Sequence, residues 1–205
     1  MITRIVILCL AVLGVTAAEA SEDTLFQVVP QVGVRVGGSL EEADSGVSRD
    51  LQEGATFGLA LELRYGRDDG WLQLWYSHQG SEVQAADGPL DVDVDYLHIG
   101  GTAPISSEGR VHSYVSAGIG ATRFAPAGPG LSNQTRFSGS LGLGISVPFS
   151  PRVALRVEAR GYLTLVDTDT SFFCRTDNGE GACAIVASGS SLFQAELTAG
   201  IAFGF

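Results

Sequence analysis

The residues that could do chemistry are few, and their spacing is informative. Arg156, Glu158 and Arg160 stand two apart in RVEAR, so a β-strand would carry all three on one face. A carboxylate between two guanidinium groups makes charge-assisted hydrogen bonds. Arg35, Glu62, Arg64 and Glu196 occupy comparable positions in other alternating segments, giving four bases and three acids in all. Shut away from water, these seven would form one paired network. The network either satisfies itself as a packed polar core or plugs and gates a narrow water path.

Three other groups deserve weighing. Asp91, Asp93 and Asp95 in DVDVD offer oxygen ligands of the kind calcium or magnesium takes. Their spacing is that of a strand and not of a calcium-binding loop, so a solvated strand end is the plainer reading. Cys174 and Cys183 frame FFCRTDNGEGACAI, a segment rich in turn residues. In an oxidising compartment such a pair reads as a disulfide stapling one loop. No histidine or second cysteine pair lies beside them, which weakens a metal reading. His78, His98 and His112, with many serines, are the raw material of a serine hydrolase. No nucleophile motif such as G-x-S-x-G accompanies them, so no catalytic residue, cofactor or metal ligand is assigned.

The elements that must position these groups are strands. The last segment, SLFQAELTAGIAFGF, sets Phe193, Ala195, Leu197, Ala199, Ile201, Phe203 and Phe205 on one face. Gln194, Glu196, Thr198, Gly200, Ala202 and Gly204 take the other. Period-two alternation recurs from Phe26, Ala55, Trp71, Asp91, Val111, Gln134 and Arg152, which makes eight strands. Long polar connections follow the odd-numbered strands: 40–53, 80–89, 125–133 and 167–190. Short turns follow the even-numbered ones. A strand crossing a bilayer obliquely needs roughly 9–11 residues, and these runs are long enough. Backbone groups cannot go unpaired in hydrocarbon, so a spanning sheet must close on itself. The expected fold is all-β: an eight-stranded antiparallel up-and-down transmembrane β-barrel over 21–205, with apolar rows facing lipid and the seven charges facing the lumen.

Address and composition agree. Residues 1–20 have a basic start at Arg4, an apolar run from Ile5 to Val15 and the small-x-small site Ala18-Glu19-Ala20, the pattern of a cleaved signal peptide. Cys9 would leave with it. The chain of 205 residues has no lysine and a formal net charge of −11. That balance excludes nucleic acid as a partner. The protein is read as exported to the bacterial outer membrane, with outer-membrane lipid and lipopolysaccharide as its surroundings, and as a monomer.

At this point the residues show a likeness. The final strand QAELTAGIAFGF, with Leu197, Ile201, Phe203 and Phe205, resembles the C-terminal insertion signal of bacterial outer-membrane proteins. YVSAGIGATRF and FSGSLGLGISVPFSPRVALRVEARGY resemble the OmpA-like eight-stranded barrel domain. The resemblance covers the mature chain and implies recognition by the barrel-insertion machinery. Larger members of that family carry a peptidoglycan-binding domain, which this resemblance does not extend to. It implies a structural, porin-like role in the cell envelope, with small-pore activity or surface contact through the external loops. Two rivals remain: an outer-membrane enzyme acting on lipid A, and a soluble periplasmic lipocalin-like barrel with the faces reversed.

Finer expectations follow. Pro30 suggests a bulge or a strand end, and a bulge within 97–101 would reconcile the blurred alternation there. Tyr65, Trp71, Phe149, Phe203 and Phe205 would form a periplasmic aromatic belt. Tyr76, Phe124, Phe137 and Phe193 would form an outer one.

Overall fold

The computed structural model describes residues 24–41, 48–65, 70–85, 88–106, 109–127, 131–166, 171–177, 180–186 and 191–205. Within these, side chains are described outside 39–50, 83–89 and 171–186. The proposed signal peptide lies outside the described residues.

Eight strands close the barrel: β1 (Phe26–Gly37), β4 (Gly54–Tyr65), β5 (Gly70–Ala85), β6 (Gly88–Ser106), β7 (His112–Pro126), β8 (Gln134–Ser150), β9 (Val153–Leu165) and β12 (Ser191–Gly204). Each pairs antiparallel with its neighbour in sequence, and β1 pairs with β12 to complete the ring. Closure leaves no sheet edge in the membrane. Four short strands, β2 (Ser39–Glu41), β3 (Ser48–Asp50), β10 (Ser171–Asp177) and β11 (Glu180–Val186), form a second sheet in the order β10–β11–β2–β3. They belong to the connections on the external side.

Alternation sets the faces as expected. Val32, Val34, Leu63, Leu97, Ile119, Leu141, Leu143, Leu163 and Leu197 are exposed on the outside. Arg35, Glu62, Gln73, Trp75, Tyr162 and Glu196 are buried inside. A soluble barrel would reverse this, so the lipocalin-like alternative fails on the placement of its apolar rows. Eight strands leave an interior that side chains can fill. Glycines make room where that interior is tightest. A Cβ on Gly142 would stand 2.6 Å from Glu158 Oε1, and one on Gly58 would enter the Trp75 ring.

Several expectations are corrected. Pro30 sits in an unshifted ladder: Val28 faces Phe203 and Gln31 faces Gly200, with no inserted residue between. That ladder passes over Val29 and Pro30, so the missing proline N–H costs no register. The stretch 97–101 is also regular, and the shift in the β6–β7 ladder comes later, between Pro104 and Ser106. Its blurred alternation has another cause. Asp91, Asp93, Leu97 and Ile99 all point outward, with Val92, Val94, Tyr96 and His98 inward. Beyond the apolar zone the outward surface becomes polar and the lumen apolar, so the pattern inverts within one unbroken strand.

The second long loop is instead a hairpin, because β5 and β6 pair up to Ala85 and Gly88. The aromatic belts also lose two members. Phe124 is buried in the lumen at 1% exposure. Trp71 shares the inward parity of Gln73 and Trp75. Tyr65, Phe149 and Phe205, and on the other rim Tyr76, Phe137 and Phe193, are exposed outside as expected, and Phe57 joins the outer set.

Candidate functional site: the lumen

Six of the seven charges meet in the lumen as three ion pairs. Arg35 and Glu196 face each other across the β1–β12 seam, with Nη2 and Oε2 3.4 Å apart. Arg156 Nη1 lies 2.7 Å from Glu62 Oε1, and Arg160 Nε lies 2.7 Å from Glu158 Oε1. All six residues are buried. Arg64 keeps the inward parity but sits partly exposed at the periplasmic end of β4, beside the start of β1, where its backbone N–H donates to Leu25 O. Among the described residues three acids and three bases pair in the lumen, and Arg64 sits at its mouth.

Neutral side chains knit the pairs together. Gln73 donates to Glu62 Oε1 at 2.8 Å and accepts from Arg160 Nη2 at 2.8 Å. Tyr114 and Ser116 hydroxyls donate to the two oxygens of Glu158 at 2.9 and 2.8 Å. Glu196 accepts from Ser77 Oγ at 2.8 Å and from the Tyr162 hydroxyl, which itself accepts from Trp75 Nε1 at 2.8 Å. Guanidinium groups also lie on aromatic faces: Arg160 on Trp75 at 4.6 Å, Arg35 on Tyr96 at 4.7 Å and Arg156 on Tyr114 at 5.0 Å. Tyr96 and Tyr162 stack with centroids 4.0 Å apart. Charges removed from water must be paired and hydrogen-bonded to be tolerated, and this arrangement meets that demand at nearly every atom. The exceptions include Glu62 Oε2 and the Nε atoms of Arg35 and Arg156, which have no hydrogen-bond partner.

Above the ion pairs an apolar cluster joins buried polar side chains such as Gln79 and Thr164, the ladder partners of Val94 and Leu192. Val92, Val94, Phe124, Val166 and Leu192 come from the outer parts of β6 and β7, the end of β9 and the start of β12, and all are at most 5% exposed. Leu51, from the connection between β3 and β4, joins them. Sequence reasoning missed this collar because it used one code for each strand throughout its length. The available signal was the row Val92-Val94-Tyr96 opposite three aspartates.

The remaining candidates fall apart spatially. Asp95 is engaged by protein groups: Tyr76 OH donates to Oδ1 at 2.9 Å, His78 Nδ1 lies 2.8 Å from it, and Arg123 Nη1 is 3.7 Å from Oδ2. Asp91 and Asp93 stand further out on the same face. Among the described residues no group of three or more His, Cys, Asp or Glu side chains is arranged to hold a metal ion. His98, hidden by the inverted pattern, faces the lumen between Ser138 Oγ at 2.8 Å and Ser140 Oγ at 2.9 Å. The barrel wall separates it from lipid. Cys174 and Cys183 are opposed in the β10–β11 register, and their side chains lie outside the described ones.

A closed sheet, apolar outside and ionic inside, defines an integral β-barrel of the bacterial outer membrane. The chain belongs to the outer membrane protein beta-barrel domain family, whose model matches residues 5–180. Solved structures agree on the fold. Neisserial surface protein A is 14% identical, with a TM-score of 0.59 over 89% of this chain and 98% of that one. The outer membrane protein OprG from Pseudomonas aeruginosa is 10% identical, with a TM-score of 0.57 over 90% and 97%. The outer membrane protein AlkL, solved in lipid bilayers, is 13% identical, with a TM-score of 0.54 over 94% and 95%. Among curated proteins none matches the chain by sequence.

Proposed function

We propose that this protein is a closed structural barrel of the outer membrane whose working surface is its external sheet. The supporting observation is the filled lumen: three buried ion pairs lie beneath an apolar collar. An open pore would instead need a continuous polar path. The external segments are built as strands and not left as plain loops, since β10–β11 joins β2–β3 through the pairing of Val186 with Glu41. A pre-formed surface loses less entropy on contact with a partner, which favours surface contact over small-pore activity. On this reading the signal peptide is removed on export. The last strand, with Leu197, Ile201, Phe203 and Phe205 outward, is presented to the insertion machinery. The barrel then resides as a monomer among outer-membrane lipid and lipopolysaccharide.

Planar-bilayer recording of the purified, heat-modifiable barrel tests the proposal. The expected record is silent, and Glu158→Ala leaves it silent because the collar remains. Sustained unitary conductance from the unmodified protein would overturn the closed-barrel reading in favour of a pore.

A further inference from the structure

Among the described residues two leucines from external connections reach the collar: Leu131 packs against it partly buried, and Leu51 lies fully within it. Leu51 follows β3, in the external connection between β1 and β4, yet it is only 3% exposed. Its position is prepared by the chain around it. Gly37 and Gly38 adopt φ of 85° and 94°, the left-handed region that favours glycine. They turn the end of β1 at the barrel mouth. A Cβ on Gly38 would stand 2.8 Å from Leu51 Cδ1 and 3.2 Å from Gln194 Cγ, so the leucine packs against a bare Cα. Leu51 N donates to Gly38 O at 2.8 Å, which closes the β2–β3 connection at its base.

The next residue ties this base to the wall. Gln52 N donates to Glu82 O at 3.1 Å, and Gln52 O accepts from Ser81 Oγ at 2.9 Å and Gln79 Nε2 at 3.3 Å. Gln79 also meets the ionic layer: its Nε2 lies 3.4 Å from Arg35 O, and Arg35 Nη1 lies 3.4 Å from its Oε1. One contiguous set of contacts thus runs from the external sheet through Leu51 and Gln52 to Gln79, Arg35 and Glu196.

We propose that Leu51 is a stopper carried by the external sheet, which seals the apolar collar and can be withdrawn when that sheet is displaced. The inference rests on the closed lumen of the proposed function and adds where the seal is and what moves it. The other fully buried collar residues among those described, Val92, Val94, Phe124, Val166 and Leu192, belong to barrel strands or their immediate ends, fixed by the closed ladder. Leu51 hangs on a connection outside the closed ladder, tied at the rim through Gly38 O and through Gln52 to Gln79, Ser81 and Glu82. Segments outside the ladder open locally at lower free energy than the ladder itself. With Leu51 out, water reaches Val94 and the Arg35 layer directly below it, since Arg35 Nη1 donates to Val94 O at 3.3 Å.

The test uses a Val94→Cys reporter in the chain from Ser21 onward, carrying Cys174→Ser and Cys183→Ser so that no other thiol remains, folded in lipid vesicles. A membrane-impermeant maleimide is added outside. With Leu51 present, labelling is slow. Leu51→Gly raises the rate by about tenfold or more, because loss of a buried leucine side chain shifts a local opening equilibrium by at least that factor. Heat-modifiability in gels shows that both barrels are closed. Gly38→Val, which strains the left-handed turn and crowds Leu51 without removing it, raises the rate as well. Unchanged labelling in both variants, in barrels that remain heat-modifiable, overturns the stopper. Fast labelling with Leu51 intact instead overturns the closed lumen itself, so the two failures are told apart.

Discussion

Removing Glu158 is the sharpest perturbation of the lumen. Its carboxylate accepts from Arg160 Nε at 2.7 Å, from Ser116 Oγ at 2.8 Å and from Tyr114 OH at 2.9 Å. Glu158→Ala therefore leaves the Arg160 guanidinium buried without its counter-ion and two hydroxyls without an acceptor. Breaking a buried pair from one side costs about 3–5 kcal/mol. Glu158→Gln keeps the shape and an acceptor oxygen, and should cost about 1–3 kcal/mol, the range for a compromised buried polar contact. The double variant Glu158→Ala with Arg160→Met removes the stranded charge and should recover much of the loss, since apolar replacement of a buried pair is often neutral. The assay is urea unfolding of the barrel in vesicles, followed by tryptophan fluorescence. Trp75 lies under Arg160 and reports on the site. Equal stability of Glu158→Ala, Glu158→Gln and wild type would refute the idea that these charges are held by one another. Failure of the double variant to recover would refute the stranded-charge explanation.

Other consequences follow from single positions. Gly58→Val should prevent heat-modifiable closure, because its Cβ would enter the Trp75 ring, and the loss should be relieved by a smaller residue at position 75. Asp95→Asn should change unfolding stability by only about 0–1 kcal/mol, as expected of partly solvated pairs. The melting of wild type should be the same in calcium and in chelator, because Tyr76, His78 and Arg123 already occupy Asp95. Cys174 and Cys183 should resist alkylation in exported protein until reductant is added, as their opposition in the β10–β11 ladder suggests. Free thiols in the exported protein would contradict the staple.

Much of the barrel was legible because one rule governs each strand inside the membrane. Lipid selects Val, Leu and Phe on one face, and a narrow lumen selects charge, hydroxyl and glycine on the other. In β9, alternation alone placed Arg156, Glu158 and Arg160 together and buried. The rule fails where lipid ends. On the outer part of β6 the aspartates face out and the valines in, so the alternation blurs at 97–101, where the outward residues become apolar and His98 turns into the lumen. Phe124 was misplaced for the same reason: an aromatic near the rim looks like belt, yet here it fills the collar. Leu51 gave no periodic signal, since its burial depends on the return of a loop to the barrel mouth. Which acid meets which base was also not readable, because partners such as Glu62 and Arg156 lie on strands separated in sequence and meet only across the lumen.

The assignment of faces is tested most directly by a spin-label scan through 137–147 of β8 in lipid vesicles. Accessibility to oxygen, which partitions into lipid, should peak at Phe137, Gly139, Leu141, Leu143 and Ile145 and fall at Ser138 and Ser140, with Gly142 and Gly144 left unlabelled because a side chain there would meet Glu158 and Tyr114. The opposite phase, with the even positions in contact with lipid, would contradict the barrel described here.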